Sequence, residues 1–380
     1  MFQIQNSTKH HYLENDNLRN EYYLIPRGEK TPVPWNIYKS EQLKGLFNAA
    51  YLARAFQVME KDLRISGLTF YMTFEQLDEL PTYGQNVVVV IAGDEWYRIP
   101  RYIHRVGAVF KCVGTNPILG CNPFTTPTIL SLLTLIQFLR ILVVRIPGVV
   151  HYQFHKLKDL FLGTNTVAPI LDIPLGYVNS KDLPIKKIEE RLYDAYFSGS
   201  VAHVEYPIWS FKRWLGTPKM LSRSQMVVNV EELKKQRPDL KLETDLTNGF
   251  HTRTAQQEKT YSEIMMDTKI CLVPRGTSFE TTRLFEAMRY GSIVITEALP
   301  SRWYLEGAPI IQVNNWRQLQ GVLQTLLDNP ELMEELHQET LHWWEMRCSE
   351  AVIGNYFAAQ LNAVRRASLL QPTLQMLAVQ

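Results

Sequence analysis

The sequence predicts an α/β protein of two domains, the second a parallel, doubly wound sheet. Three observations predict it. NVVVVIAG (residues 86–93) is a continuous β-branched run, the composition of a strand buried on both faces. The second half alternates short apolar runs with helical spacing, which implies right-handed crossovers onto a parallel sheet. Between the halves lies SKDLPIKK (residues 180–187), charged and broken by proline in the manner of a linker.

Residues 1–40 are polar and rich in Tyr, Asn and Pro, so little regular structure is expected there. Residues 41–60 carry apolar side chains at helical spacing. Strands are expected at 86–93 and 107–114, a helix at 129–144, and a short apolar run ending in a Pro-Gly turn at 167–177. After the linker, YDAYFSG reads as a strand and residues 222–236 as a helix closed by Pro238. LKLETDL is a strand, residues 258–268 a helix, KICLV a strand, residues 281–290 a helix, and SIVIT a strand. PIIQV and a helix over 316–327 follow, and the last fifty residues read as helical. The expected boundaries are 1–179, a linker at 180–187, 188–348, and a C-terminal helical segment at 349–380 that packs back toward the first domain.

Composition narrows the function classes. The chain is 46% hydrophobic and 21% charged, with a formal net charge of +2, which gives no reason to expect a nucleic-acid coat. Its four cysteines are far apart and form no C-x-x-C pair, so neither a disulfide scaffold nor a zinc framework is expected. A reducing, cytoplasmic setting fits, and the first twenty residues show no apolar secretory core. In ILSLLTLIQFLRILVV (residues 129–144), Ser131, Thr134, Gln137 and Arg140 recur at every third position. The first reading is a mostly buried core helix. The second is a helix docked shallowly on a membrane, followed by Arg145, Lys156 and Lys158, which would make the protein peripheral to that membrane.

The chemistry concentrates in CLVPRGTSFETTRLFEAMRYGSIVI (residues 271–295). In an open parallel sheet, ligands bind at the carboxyl ends of strands, so PRGTSFE is the loop at that edge. Gly276 leaves room for a close backbone approach. Thr277, Ser278 and the first amides of the next helix offer donors to a diphosphate, and Arg275 adds a planar cationic fork. Arg283 and Glu286, three apart, share a helix face. That spacing is also the one of a routine exposed ion pair. As a site, it directs Arg275, the loop amides and Arg283 to phosphates and Glu286 to a ribose diol. Leu284, Phe285 and Met288 face the core, and Gly291 ends the helix. Glu280 is read as a helix N-terminal charge.

Pro274-Arg275-Gly276, then Arg283, Glu286-Ala287 and Gly291 at this spacing, resembles the signature of exostosin-type glycosyltransferases. The resemblance covers about thirty residues, with GSIVIT in place of that family's usual proline in the strand after the glycine. It implies a GT-B-like fold, two Rossmann-like doubly wound domains facing across a cleft, with acceptor on the first and donor on the second. It implies an inverting transfer from a nucleotide diphosphate sugar to a glycan or lipid-linked acceptor. Ser278 occupies the position of the second glutamate of many retaining relatives, and no Asp-x-Asp is present, so no metal or other cofactor is expected. Donor contacts by position are Gly199 and Ser200; Arg213 would supply charge, as would Lys219, which is the more simply read as solvated.

Asp94 and Glu95, at the end of the best strand, are the candidate bases for the acceptor hydroxyl. His104 is a further one. His151 and His155 are four apart, but HYQFH lacks the glutamate of a metalloprotease helix and shows no third ligand. An epimerase using the same donor and a non-catalytic nucleotide- or glycan-binding protein stay open as alternatives.

Overall fold

A computed structural model describes residues 19–42, 48–125, 127–178, 181–201, 216–247 and 255–377. The first sheet contains β1 (Glu21–Ile25), β2 (Val33–Pro34), β3 (Thr69–Thr73), β4 (Gly84–Ile91), β5 (Val106–Lys111) and β6 (Ile170–Asp172). Its order is β2-β1-β3-β4-β5-β6. Only β2 runs antiparallel. The second sheet contains β7 (Tyr193–Gly199), β8 (Leu242–Leu246), β9 (Thr268–Val273), β10 (Ile293–Thr296) and β11 (Ile310–Gln312), all parallel in the order β11-β10-β9-β7-β8. The helices are α1 (Ala49–Asp62), α2 (Ile129–Leu162), α3 (Pro218–Gln236), α4 (Ala255–Met266), α5 (Thr282–Arg289), α6 (Leu319–Leu327), α7 (Pro330–Trp343) and α8 (Glu350–Leu377). This is the GT-B-like layout expected from the sequence.

In the second sheet the strand order reverses between β7 and β9. Such a reversal opens a crevice at the carboxyl ends of the two strands, the habitual ligand position of an open α/β sheet. The first sheet turns back in the same way between β1 and β3, but there the outlying strand is the short antiparallel β2.

The local sequence explains the best-formed elements. Val87, Val88, Val89 and Val90 are all buried, as a strand covered on both faces requires. α5 buries Leu284, Phe285 and Met288. It ends in a Schellman motif, with Ser292 N–H donating to Ala287 O (2.9 Å), Gly291 N–H to Met288 O (3.0 Å), and Gly291 at φ +68°.

Three expectations need correction. Residues 1–40 hold β1, which lies parallel to β3, and neither strand stood out in the sequence. Tyr22 stacks on Phe70 at 4.8 Å, so aromatic cross-strand packing builds this edge without a clean apolar alternation. The first helix begins at Ala49. α2 runs on to Leu162 and is no core helix: Leu132, Ile136, Leu139, Val143, Val150 and Phe154 are all more than half exposed. The polar stripe faces inward at Ser131, Thr134 and Gln137, the first two buried, while Arg140 is exposed.

α8 crosses back onto α1. The Phe357 ring lies 5.0 Å from Phe56 and 4.3 Å from Phe110. At Gly354 a Cβ would fall 2.5 Å from Ala55 O, so the two helices touch backbone to backbone. Arg302 bridges the sheets, pairing with Glu280 of the second domain and Asp172 of the first (2.7 Å to the latter) and donating to Val113 O. These contacts bring the carboxyl edges of the two sheets together.

Candidate functional site

The carboxyl ends of β7 and β9 carry Gly199, Ser200 and the loop Arg275–Gly276–Thr277–Ser278, so the reversal point holds the expected donor-side residues. Arg213 lies outside the described residues. α5 begins directly after this loop. Thr281 is its N-cap residue, yet its side chain makes no capping bond and its buried hydroxyl has no partner among the described residues. The first amides of α5 therefore stay open to a ligand.

Arg283 is the centre of the site. Its Nε and Nη1 are buried and have no hydrogen-bond partner among the described residues. Its guanidinium lies 4.8 Å over the Phe197 ring. A Cβ at Gly199 would come 2.7 Å from Nη2, so glycine there makes room for this arginine. A buried guanidinium with unmade hydrogen bonds is costly unless an anion completes it.

Arg275 is spent differently. Its guanidinium donates to Thr134 Oγ1 (3.1 Å), Gln137 Oε1 (3.2 Å) and Thr277 O (3.3 Å), and it covers the Phe279 ring at 4.1 Å. Gln137 Nε2 returns a bond to Thr277 O (3.1 Å). Arg275 thus ties the donor loop to α2 across the domains, leaving only Nε unmade. Gly276 does not adopt the left-handed region, and a Cβ there would meet only ordinary contacts at 3.5 Å. The protein alone does not demand glycine at 276. Ser278 is buried and donates to Glu280 O (2.8 Å), so it fixes the loop from within.

Two further cations complete the cluster: Arg223, which the sequence did not single out, and Lys219, which it offered as a second charge but read more simply as solvated. Arg223, on α3, is buried and donates to Ser200 O (2.6 Å) and Arg275 O (3.1 Å). Burial, and then its neighbour Arg283, lower its pKa to about 9. Lys219, expected to be solvated, is pushed down to about 8 by burial and by Arg223. Burial of these cations beside one another leaves their positive charge only partly compensated. Facing the four cations are two carboxylates, Glu95 and Glu297. Burial raises the pKa of both, against the pull of Lys219 and Arg223 on Glu95 and of Arg275 on Glu297. No periodicity marks Arg223 and Lys219, because only the packing of α3 over the end of β7 makes them site residues.

The candidate bases separate. Asp94 is sealed in the first domain. Its carboxylate accepts from Lys111 Nζ (2.8 Å), Arg98 N (2.7 Å) and Arg98 Nε (3.0 Å), and its side chain is fully buried. Burial would raise its pKa, but Lys111 and Arg98 outweigh that and hold it below the usual carboxylate range. No acceptor reaches it. Glu95, one residue on, is half-buried beside Thr277, Lys219 and Arg223. His104 precedes β5 and lies at the opposite, amino edge of the sheet.

Glu286 is neither exposed nor open. It is buried, with Oε1 accepting from Val178 N (3.0 Å) and Oε2 from Tyr261 OH (2.7 Å). It holds α5 against α4 and the chain that leaves the first domain. Glu280 is likewise no simple helix charge, since it is buried between Arg302 and Tyr304 OH (2.9 Å). The third histidine that the sequence did not show is His104, whose Nδ1 lies 3.3 Å from His151 Nε2. Its ring stacks parallel on His155 at 3.8 Å. His151 is tilted by 57–58° to both rings, and one ring nitrogen of each histidine lies within 4.8 Å of the other two, a grouping that could hold a metal ion.

Residues 212–352 match the family described as RXYLT1 C-terminal domain. Ribitol-5-phosphate xylosyltransferase 1 of Mus musculus is 24% identical over 197 residues, covering 47% of this chain and 41% of that protein. The Homo sapiens protein of the same name is 26% identical over 168 residues, covering 40% and 35%. The chain thus spans about two fifths of the length of these relatives. Among solved structures, the pneumococcal O-GlcNAc transferase GtfA in complex with UDP and GlcNAc aligns at 12% identity over 90% of this chain and 69% of that one, with a TM-score of 0.40. AviGT4, a glycosyltransferase involved in avilamycin A biosynthesis, aligns at 11% identity over 91% and 98%, with a TM-score of 0.36. At such scores the fold stands on its own strand order. The family match includes Lys219, Arg223, Arg275, Arg283 and Glu286, so over the donor half of the candidate site this chain is similar to the RXYLT1 C-terminal domain.

Proposed function

We propose that this protein is a glycosyltransferase that moves a sugar from a nucleotide diphosphate donor to a glycan or lipid-linked acceptor, with inversion and without a metal. The observation that carries the proposal is Arg283 at the start of α5, whose buried Nε and Nη1 have no hydrogen-bond partner among the described residues. A diphosphate supplies the acceptor oxygens and negative charge that this arginine, Arg223, Lys219 and the α5 amides lack. The relatives' name adds a nucleotide diphosphate xylose to the donors worth testing.

Glu95 takes the proton from the acceptor hydroxyl as its oxygen forms a bond to the anomeric carbon. The bond from that carbon to the diphosphate oxygen breaks on the opposite side. The electron pair leaves with the diphosphate, and the cations stabilise it in the role a metal plays elsewhere. Glu286 acts as a positioning residue for α5, through its bonds to Val178 N and Tyr261 OH.

The test is a donor screen by thermal shift followed by product analysis. The expected result is a raised melting temperature with one nucleotide diphosphate sugar, then free diphosphate and a lengthened acceptor. Arg283→Ala should weaken that donor roughly 10- to 100-fold, about the loss of one or two charged hydrogen bonds. A donor that binds the variant as well as the wild type places the diphosphate elsewhere. Interconversion of the donor without transfer would establish an epimerase instead.

A further inference from the structure

We propose that α2 is a lipid-docking surface that lays the protein on an anionic bilayer, with the helix in the plane of the interface. The inference stands apart from sugar transfer, since lipid binding can be present or absent whatever the site catalyses.

α2 has two unlike faces. One is fixed to the protein. Ser131, Thr134, Ile141, Gly148 and Asp159 are buried. Arg145 Nε donates to Tyr97 O (3.2 Å), and a Cβ at Gly148 would fall 2.6 Å from Ile99 O. The other face carries Leu132, Ile136, Leu139, Val143, Val150 and Phe154, all more than half exposed. Their spacing of three, four or seven residues keeps them on one stripe, which continues through Leu157 to Phe161. A helix of 34 residues is about 50 Å long at 1.5 Å per residue, so the stripe far exceeds the apolar patches normal for a soluble surface. Phe124, 89% exposed just before the helix, extends it.

The stripe needs a cover, and its charges choose which. The helix carries Arg140, Arg145, Lys156 and Lys158 but only one acid, Asp159. That carboxylate is consumed internally by Thr164 Oγ1 (2.7 Å), Thr166 N (2.7 Å), Thr166 Oγ1 (2.8 Å) and Val167 N (3.0 Å). Arg140 and Lys158 are eighteen residues apart, about five turns, and so stand on one edge of the stripe. Both are exposed. A second copy packed on the stripe would need acids opposite these cations, and the helix has none free. Anionic headgroups match an apolar face bordered only by cations. The helix cannot span the bilayer while its polar face is docked on the domain, so it lies flat. Thr134 and Gln137 on its inner face hold Arg275, which places the candidate site beside the lipid surface.

The test is co-sedimentation of the full chain with phosphatidylcholine vesicles, with and without phosphatidylglycerol. Size-exclusion chromatography with light scattering runs in parallel. The wild type should pellet with the anionic vesicles, and less so at high salt. Leu139→Glu/Val143→Glu/Val150→Glu alters only exposed positions. It should keep the melting temperature and lose at least about tenfold in partitioning. Arg140→Glu/Lys158→Glu keeps the apolar stripe and should lose the preference for anionic lipid. Three outcomes overturn the proposal: a wild type that stays in solution with both vesicles, a triple variant that still pellets, or a dimer that the triple variant dissolves.

Discussion

At the residue scale, Asp94 and Glu95 show how one position decides a carboxylate's role. Both follow β4, and the sequence offers them equally. Asp94 turns inward onto Lys111 and Arg98, two permanent partners that keep it ionised and inaccessible. Glu95 remains at the edge, where burial raises its pKa above the usual range. A group raised in this way binds a proton more readily when folded than unfolded. Its charge therefore costs stability, and that cost is fully felt at pH values above the folded pKa. A general base must be ionised, so turnover should fall as pH drops through that raised value. Glu95→Gln should lose roughly 10²- to 10⁴-fold in kcat, with little change in donor affinity. The same variant should melt at a higher temperature than the wild type at neutral pH, because it removes an ill-solvated charge. Rate profiles and thermal melts check both. A variant that melts lower while keeping its activity would make Glu95 structural.

At the element scale, α5 was legible and the inner face of α2 was not. α5 joins a strand to a strand, so its apolar side has only one place to go, and Gly291 punctuates its end. There a Cβ would meet His337 and Leu341 at 2.6 to 2.7 Å, on a residue already at φ +68°. Gly291→Ala should therefore cost more than the roughly 1 kcal/mol of a left-handed alanine, since α7 must also shift. Chemical denaturation would measure it, and a loss below that figure would mean the helix end relaxes freely. α2 also connects two parallel strands, β5 and β6, but most of its surface is left uncovered. Its polar stripe at every third residue fixes two faces but not which one is inside, and hydropathy argues for the wrong one. β1 and β3 were missed because their burial rests on aromatic pairs such as Tyr22 and Phe70, which local alternation does not record. Within the site, the β9–α5 loop was legible because Gly, Arg and cap residues cluster in sequence. Arg223 and Lys219 come from a helix some fifty residues earlier, and only the crossing of α3 over the end of β7 recruits them.

At the scale of the whole molecule, the two sheets are held edge to edge by a charged clamp next to the site. Arg302 pairs with Glu280 and with Asp172, and it donates to Val113 O. Gly114 makes this possible, since a Cβ there would fall 1.9 Å from Arg302 Nη1. Glu280 and Arg302 are each 1% exposed at the side chain, so neither charge has water to fall back on. Burial alone would weaken the basicity of Arg302, but Glu280 overrides it and raises the pKa. Such a pair adds little over an apolar replacement of both members, yet losing one partner strands the other. Arg302→Met should thus cost about 3–5 kcal/mol, most of it from the abandoned Glu280. Glu280→Gln/Arg302→Met should recover a large part of that loss, which no account based on lost packing predicts. Lowering the pH should also narrow the gap between Arg302→Met and wild type, because the stranded Glu280, already raised by burial, can then take a proton. Calorimetry across pH on the four members of this cycle measures the coupling. Additive losses, with no rescue in the double variant, would mean that the clamp is held by shape and not by charge.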